Sequence, residues 1–474
     1  MRKITNNQLR KVKKPVRYIG SEYNECIKDK NNKVRVCSAY SNLYEIGVLK
    51  PKFNSIYYYL NERNDCYLER TFLPDNDLLQ MMEKDNFGLQ TLETKDFVNE
   101  FDIIIFNVND VLEYINVLKM LKLSNIEIYS KSRTKKGPVV IAMGDAVEKN
   151  FSPIADFIDF FIIGQPEGVL DLVLDRYKEY RLQNLTKIDY LRMLKNIQGI
   201  YIPSIHSNTL VYSAINSNIE CENSKVIIPN MAECFEVQKL NCKTMEVLTN
   251  SNRLRKKLKL KEIDNNEYLV SFFTEAIKEK VREVKINFVL GLPGENYQDI
   301  KSTCKFMKKI IRIYKDILPV ADFIFKLTFE FENFVIYPHT KFEWFGKNNA
   351  EDIINKKEFI EENVSIENEN IKFSFDDPYV FQFKQFLLFS DNKVSDKMME
   401  LEEAGFIFYD YDNILNLDSI HSLDFTKYSE YFEEKELEER FPFDMMIIPG
   451  YEKQKLKKEF KEVSLEINGG EYGK

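Results

Sequence analysis

The chain has 474 residues and a formal net charge of −8, and 44% of its residues are hydrophobic. This length exceeds one ordinary core and predicts about three domains, and the hydrophobic fraction excludes disorder over most of the chain. The negative charge disfavours attraction of the whole surface to nucleic acid or anionic membranes, although a local basic patch is compatible with RNA binding. No apolar run is long enough to span a bilayer, and the basic N-terminus lacks the apolar stretch of a secretory signal. We therefore expect a soluble, cytoplasmic protein without a membrane partner.

The first part of the chain alternates between strand-like and helix-like segments. Apolar runs typical of strands buried on both faces, and amphipathic runs typical of helices, occur at residues 33–38, 101–108, 111–121, 138–143, 157–163 and 169–180. This alternation predicts an α/β domain over residues 1–182, with a Rossmann-like parallel sheet and helices on both faces. Ligands of such sheets bind beyond the carboxyl ends of the strands, so the turns at Gly144 and Gly164 are the first candidate site.

A second α/β unit is predicted from residue 183 to residue 345. Its strand-like segments lie at residues 236–247, 284–290 and 323–333, and its helix-like segments lie at residues 265–280 and 297–314. The turn that contains Gly291, Pro293, Gly294 and Glu295 joins a strand to a helix, and its glycines allow close approach of a ligand to the backbone. Residues 346–474 predict a smaller, mostly helical region, within which residues 351–370 read as a solvated charged stretch.

Several stretches resemble one known family when they are taken in order along the chain. They are residues 14–20 (KPVRYIG), 44–47 (YEIG), 139–144 (VVIAMG), 152–156 (SPIAD), 160–164 (FFIIG), 285–295 (KINFVLGLPGE), 337–344 (YPHTKFEW) and 441–444 (FPFD). No single stretch is specific, but the ordered combination covers most of the chain. It resembles the cobalamin-binding-domain radical SAM proteins, the type encoded near ribosomal protein and RNase genes.

The resemblance implies three cofactors and places two groups of residues beside them. Gly144, Gly164 and Glu167 correspond to the cobalamin side, where the family has Gly-Gly and Gly-Glu-Gly-Glu turns. Gly291, Pro293, Gly294 and Glu295 correspond to a nucleoside pocket for S-adenosylmethionine. The third cofactor, a [4Fe–4S] cluster, is held in the family by a Cys-x3-Cys-x2-Cys run, because closely spaced thiolates ligate three irons from one loop.

The sequence departs from the family at the residues that carry its chemistry. It contains no such cysteine run, and its seven cysteines are scattered singly, which is typical of reduced cytosolic thiols: Cys26, Cys37, Cys66, Cys221, Cys234, Cys242 and Cys304. Residues 249–255 (TNSNRLR) resemble a family segment in which Leu248 is a glutamate of the S-adenosylmethionine wall and Asn250 is a glycine. The roughly 140 residues between Pro203 and Trp344 are also fewer than the about 250 of a full β/α barrel. We therefore expect a truncated, TIM-like half-barrel.

These departures favour a degenerate radical SAM-like protein that acts as a binding or scaffold protein without cluster chemistry, a pseudoenzyme. Two alternatives remain open, an active cobalamin- and S-adenosylmethionine-dependent radical or methyl transferase with an atypical iron–sulfur site, and a cobalamin-binding sensor module. The sequence identifies no catalytic residue and no metal ligand, since His206, His339 and His421 lack metal-ligand spacing. The basic cluster from Arg253 to Lys261 is a candidate RNA contact. The open edge of a half-barrel predicts a protein partner or a homo-oligomer that covers it.

Overall fold

The structure is a computed structural model. It describes residues 1–133, 137–206, 209–215, 242–258, 260, 266–320, 323–366, 368–409 and 413–467. The chain forms two compact units. The first consists of Met1–Phe235, Leu387–Leu423 and Arg440–Gly450, and the second of Glu236–Phe386, Asp424–Glu439 and Tyr451–Lys474.

Strands and helices alternate through most of the described chain. The strands are β1 Val34–Tyr40, β2 Cys66–Phe72, β3 Ile103–Asn107, β4 Val139–Met143, β5 Phe160–Ile162, β6 Ile200–Tyr201, β7 Val211–Tyr212, β8 Cys242–Leu248, β9 Glu283–Leu290, β10 Lys326–Asn333, β11 Ile371–Phe375, β12 Ile407–Tyr409, β13 Asn413–Leu415 and β14 Met446–Ile447. The helices are α1 Asn6–Leu9, α2 Val16–Ile19, α3 Tyr44–Val48, α4 Pro51–Glu62, α5 Asn76–Asp85, α6 Glu113–Leu123, α7 Asp145–Asn150, α8 Glu167–Leu182, α9 Lys187–Leu194, α10 Asn252–Lys257, α11 Asn266–Lys278, α12 Tyr297–Ile317, α13 Ala350–Asn363, α14 Pro378–Phe389, α15 Ser395–Glu403, α16 Leu417–His421 and α17 Lys453–Ile467.

The first unit is built on a six-stranded sheet in the order β2-β1-β3-β4-β5-β6. Strands β1 to β5 are parallel, and β6 pairs antiparallel with β5. Every residue of β3 and β4 is buried, as expected of apolar strands that are covered on both faces by helices. The predicted parallel-sheet domain with flanking helices is therefore confirmed. The chain order reverses between β1 and β3, and the carboxyl ends of strands at such a reversal are where doubly wound sheets bind ligands.

Helix α6 is buried on nearly all sides because C-terminal segments of the same unit pack against it. Lys119, which is 4% exposed, forms an ion pair at 2.8 Å with Glu402 of α15. The side chain of Asn116 donates a hydrogen bond to the carbonyl of Phe408 in β12 and accepts one from the backbone N–H of that residue. Because α6 is buried on nearly all sides, it lacks the wide exposed polar face that a surface helix has.

The second unit contains a four-stranded parallel sheet in the order β8-β9-β10-β11. Helices follow β8, β9 and β10 along the chain, so each connection is a β/α crossover. Helix α12 begins with a capping box, in which the Asn296 and Asp299 side chains accept backbone N–H groups at its first turn. Its buried face carries Ile300, Met307 and Ile310 into the core beneath the sheet.

Helix α17 belongs to the second unit and packs on its single tryptophan, Trp344. The ring of Phe460 lies 5.6 Å from that of Trp344 and 4.9 Å from that of Phe345. Lys453, at the start of α17, pairs at 2.6 Å with Glu343, whose side chain is completely buried. These contacts bury an aromatic anchor and satisfy a buried charge, so α17 is a fixed part of the unit.

The sequence predicts a mostly helical region from residue 346, and the described residues there form helices α13 to α17 together with four short strands. Strand β11 joins the second sheet, and β12, β13 and β14 lie in the first unit. The segment read as a solvated charged stretch forms α13, which buries Ile353 and Ile360. Among the described helices, none is long and apolar enough to cross a membrane.

Candidate functional site

The cobalamin-side candidates lie at the carboxyl ends of β4 and β5. Gly144 follows β4 and Gly164 lies two residues beyond β5, both with positive φ, and half-buried Glu167 begins α8. A side chain at Gly144 would collide with the backbone of Val108, and one at Gly164 with the segment around Ala214. The protein's own backbone therefore accounts for both glycines. Their assignment to a cofactor stays a prediction.

Residues of the first unit itself pack near the carboxyl ends of β1 and β2. Asn116 donates one hydrogen bond to the carbonyl of Ser41, directly after β1, and another to the carbonyl of Phe408. The Tyr409 hydroxyl donates to the carbonyl of Pro74, beyond β2, at 2.8 Å. Strand β12 thus occupies space at the carboxyl edge of the sheet, where a ligand of a doubly wound fold would bind.

Close to these contacts lies a buried carboxyl group, Glu113, which is 1% exposed. It accepts hydrogen bonds from the Ser41 hydroxyl at 2.7 Å, the Asn42 amide at 3.0 Å and the Asn109 backbone N–H at 2.9 Å. Burial removes water from the carboxylate and raises the pKa of Glu113 to about 7, despite the three donors. Burial and these three donors therefore act on this carboxyl in opposite directions.

The S-adenosylmethionine-side candidates form one rigid turn at the carboxyl end of β9. Glu295, whose side chain is 2% exposed, accepts the Gly291 N–H at 2.8 Å and pairs with Lys356 of α13 at 3.0 Å. Asn348 donates to the Gly291 carbonyl and accepts from Lys356. Burial raises the pKa of Glu295, so the carboxylate depends on Lys356 for its stabilisation. Glu295 therefore holds the turn in shape.

A second network ties this turn to the segment that follows β8. Asp299 is 3% exposed and accepts hydrogen bonds from the Ser251 hydroxyl and from two nitrogens of the Arg253 guanidinium. Arg253 also donates to the Gly294 carbonyl at 2.6 Å. Hydrogen bonds from Arg253 and Ser251 hold the pKa of Asp299 below its ordinary value, against the opposing effect of burial. The two networks fix the loops after β8 and β9 relative to each other.

A cavity of about 540 Å³ opens at the carboxyl ends of β8, β9 and β10. Apolar residues line its walls, two lysines and three glutamates supply its charges, and α17 forms one side. The lining comprises Leu248, Lys257, Leu258, Leu260, Val289, Leu292, Pro293, Phe334, Lys341, Phe342, Glu459, Glu462, Val463 and Glu466. Of the predicted residues, Pro293 lines the cavity, while Gly294 packs against Ile467 of α17 and Glu295 lies behind the turn.

Leu248 stands on the wall of this cavity in a strained backbone conformation. Its φ is +61°, and the pairing of β8 with β9 shifts register between Glu246 and Leu248. A branched residue without glycine's freedom rarely adopts this conformation, and such strain concentrates at functional sites. Leu248, for which the resemblance implies a glutamate, thus lines the cavity with an apolar side chain that is 37% exposed.

The basic cluster predicted as an RNA contact is largely engaged within the second unit. Arg253 pairs with Asp299, and Arg255 is buried and donates to the carbonyls of Val247 and Thr249. Lys257 donates to the carbonyl of Ile467. Lys259 and Lys261 lie outside the described residues. Three of its four described cations thus take part in the fold around the cavity, whereas Lys256 is exposed. The RNA contact stays a prediction.

The cysteines that are described lie away from the carboxyl edges of both sheets. Cys66 and Cys242 begin β2 and β8, Cys37 lies within β1, Cys304 lies within α12, and Cys26 precedes β1. Cys221 and Cys234 fall outside the described residues. Within the described part of the chain, no three His, Cys, Asp or Glu side chains are grouped to hold a metal ion. The described thiols therefore do not fit a [4Fe–4S] cluster.

Sequence reasoning missed several residues that build the candidate site. Lys356 lies in a stretch that the sequence predicts to be a solvated charged segment, and no sequence signal marks Asn348 or the side of α17 that lines the cavity. Asp299 had a usable signal, because Asn296 and Asp299 show the spacing of a capping box before an apolar run. Glu113 has none, since the Ser41 and Asn42 side chains that bind it lie about 70 positions earlier in the chain.

Comparison with known proteins supports the radical SAM part of the resemblance. Residues 52–203, which lie in the first unit, match the family described as "Radical SAM proteins, N-terminal". An uncharacterized protein of Methanocaldococcus jannaschii is 32% identical over 83 residues, which is 18% of this chain and 17% of that protein. The chain is thus similar to radical SAM proteins over about a third of its length.

Proposed function

We propose that the chain is a radical SAM-related binding protein without cluster chemistry, and that its ligand occupies the cavity at the carboxyl ends of β8, β9 and β10. The observation that carries this proposal is the cavity itself. Its volume of about 540 Å³ is in the range of small-molecule sites, and its position is the one at which parallel α/β sheets bind ligands.

The strand order supports a relationship to the catalytic half of radical SAM proteins. Four parallel strands in sequential order, each followed by a helix, have the arrangement of half an eight-stranded β/α barrel. Such barrels bind their ligands at the carboxyl ends of the strands. The half-barrel prediction and the cavity therefore point to the same edge of the second sheet.

The cavity wall indicates the chemistry of the ligand. Leu292, Phe334 and Phe342 offer apolar and aromatic surface for a planar base. Lys257 and Lys341 attract a carboxylate, and the glutamates of α17 attract a cationic amine or sulfonium. An adenosyl amino acid, such as S-adenosylmethionine or S-adenosylhomocysteine, carries all three features. In this arrangement the α17 glutamates supply the negative charge that, by the resemblance, a glutamate supplies at the position of Leu248.

The described thiols lie away from the cavity, and the proposed function therefore includes no iron–sulfur cluster chemistry. The five described cysteines are in strands, in a core helix or before β1, away from the cavity. The ligand in the cavity is therefore proposed to be bound but not reductively cleaved. The transferase and the cobalamin sensor remain alternatives. The protein's own backbone packs closely against Gly144 and Gly164, so these glycines give no support to a bound cobalamin and hence to the sensor.

Calorimetric titration with S-adenosylmethionine and with S-adenosylhomocysteine tests the proposed site. We expect saturable binding to the full chain, and at least about tenfold weaker binding by Val463→Trp, because the larger ring fills the cavity beside α17. The matched control is Val270→Trp, at a position on α11 that is 44% exposed and lies outside the cavity. The proposal fails if neither compound binds the wild-type chain, or if Val463→Trp binds as well as the control.

A further inference from the structure

The exposed face of α12 carries an unbroken row of cations. Lys301, Lys305, Lys308, Arg312 and Lys315 are all exposed, at spacings of four, three, four and three residues. At 100° per residue they fall within an arc of about 80°, and at 1.5 Å per residue they extend over about 21 Å. We call these five residues the α12 stripe. It lies in the second unit, on a helix separate from the basic cluster that follows β8.

None of the five forms an ion pair with any residue that the structure describes. Some other lysines of the same unit do, since Lys243, Lys285 and Lys356 each pair with a glutamate. What sets the α12 stripe apart is that its five exposed cations share one narrow arc of a single helix. Like charges four residues apart on a helix destabilise it by about 0.2–0.5 kcal/mol per pair. The chain has 75 acidic residues against 67 lysines and arginines. A row of cations left unneutralised in so acidic a protein is a cost to folding that an external polyanion would remove.

Three classes of polyanion could face such a row, and the helix itself discriminates between them. A helix that binds a membrane needs a free apolar face, but the apolar face of α12 is buried in the core through Phe306, Met307 and Ile310. Protein interfaces are depleted in lysine and enriched in aromatic residues, whereas four of the five side chains are lysines. Phosphate backbones are contacted mainly by lysine and arginine, without a requirement for apolar surface.

We propose that the α12 stripe binds the phosphate backbone of a nucleic acid without reading its base sequence. About six phosphates of one strand occupy 21 Å at a rise of about 3.4 Å per residue, so five cations match their number closely. Lysine ammonium groups on flexible stems act as point charges, which suits backbone contact rather than recognition of base edges. The inference is independent of the ligand proposed for the cavity.

Fluorescence anisotropy with a labelled single-stranded oligouridylate and with an RNA duplex of equal length tests this surface. We expect Lys305→Gln/Lys308→Gln/Arg312→Gln to bind RNA at least about tenfold more weakly than the wild-type chain, at a fixed low salt concentration. The slope of log affinity against log salt should fall in magnitude by about two to three, because each phosphate that the variant no longer neutralises keeps about one counterion.

The matched control removes the same number of charges from another exposed helix face of the second unit. Lys455→Gln/Lys458→Gln/Lys461→Gln changes three exposed lysines of α17 and should bind within about twofold of the wild-type chain. Equal weakening in both triple variants, or an unchanged salt slope in the α12 variant, would overturn the proposal. The proposal is also overturned if the wild-type chain binds phosphatidylserine vesicles but binds neither the oligouridylate nor the RNA duplex.

Discussion

Replacing Glu295 by alanine is expected to lower the free energy of unfolding of the second unit by about 3 kcal/mol. The substitution removes the acceptor of the Gly291 N–H and leaves Lys356, which is 12% exposed, without its carboxylate. Removing one partner of a buried ion pair is costly because the remaining charge has lost its solvation and its partner. Asn348, which still accepts from Lys356, keeps the cost at the lower end of the range for such pairs.

Urea unfolding followed by the fluorescence of Trp344 measures this effect. Trp344 is the chain's one tryptophan, is fully buried and lies in the second unit, so its emission reports on that unit. The control is Glu279→Ala, which removes an exposed carboxylate paired with Lys243 and should cost less than about 1 kcal/mol. A double variant, Glu295→Gln/Lys356→Met, should be more stable than Glu295→Ala. Similar losses for Glu295→Ala and Glu279→Ala would show that the turn is not held by this pair.

The stability of the first unit is expected to fall as the pH rises from about 4.5 to about 7, by about 3 kcal/mol on account of Glu113 alone. Burial raises the pKa of this carboxyl to about 7 from an ordinary value of 4.5, so the folded state holds a proton that the unfolded state has released. The contribution is fully present below the lower pKa. It is lost as the pH rises through the higher one, because the buried group must then ionise.

Urea unfolding followed by circular dichroism at several pH values tests this expectation, with the Trp344 signal identifying the transition of the second unit. Glu113→Gln cannot ionise, so its first-unit transition should lack the Glu113 part of the pH dependence. Glu62→Gln, which removes an exposed carboxylate of α4, should keep the wild-type dependence. Equal pH dependence in Glu113→Gln and the wild-type chain would contradict a protonated Glu113.

The buried strands and long amphipathic helices were predictable because their patterns are local. The apolar run that opens β3 and the periodic face of α12 each specify one element without help from distant residues. The cavity-side turn was likewise located from its Gly-Leu-Pro-Gly-Glu sequence between a strand and a helix. The structure places that turn at the carboxyl end of β9, as expected for a parallel sheet.

The elements that were not predicted depend on contacts between distant parts of the chain. Strand β11 is short and carries polar residues, and only its pairing with β10 identifies it as part of the sheet. Helix α13 shows few apolar residues among its charges, so its burial of Ile353 was not evident from periodicity. Strand β12 packs near the carboxyl ends of β1 and β2, and a sequence pattern cannot assign it to the first unit.

The determination of iron and acid-labile sulfide after anaerobic reconstitution, with a visible spectrum, tests the central claim most directly. The account of a radical SAM-related protein without cluster chemistry predicts no iron above background and no thiolate-to-iron absorption band. About four irons per chain with such a band would contradict it, and would show that thiols distant in the sequence meet to hold a cluster.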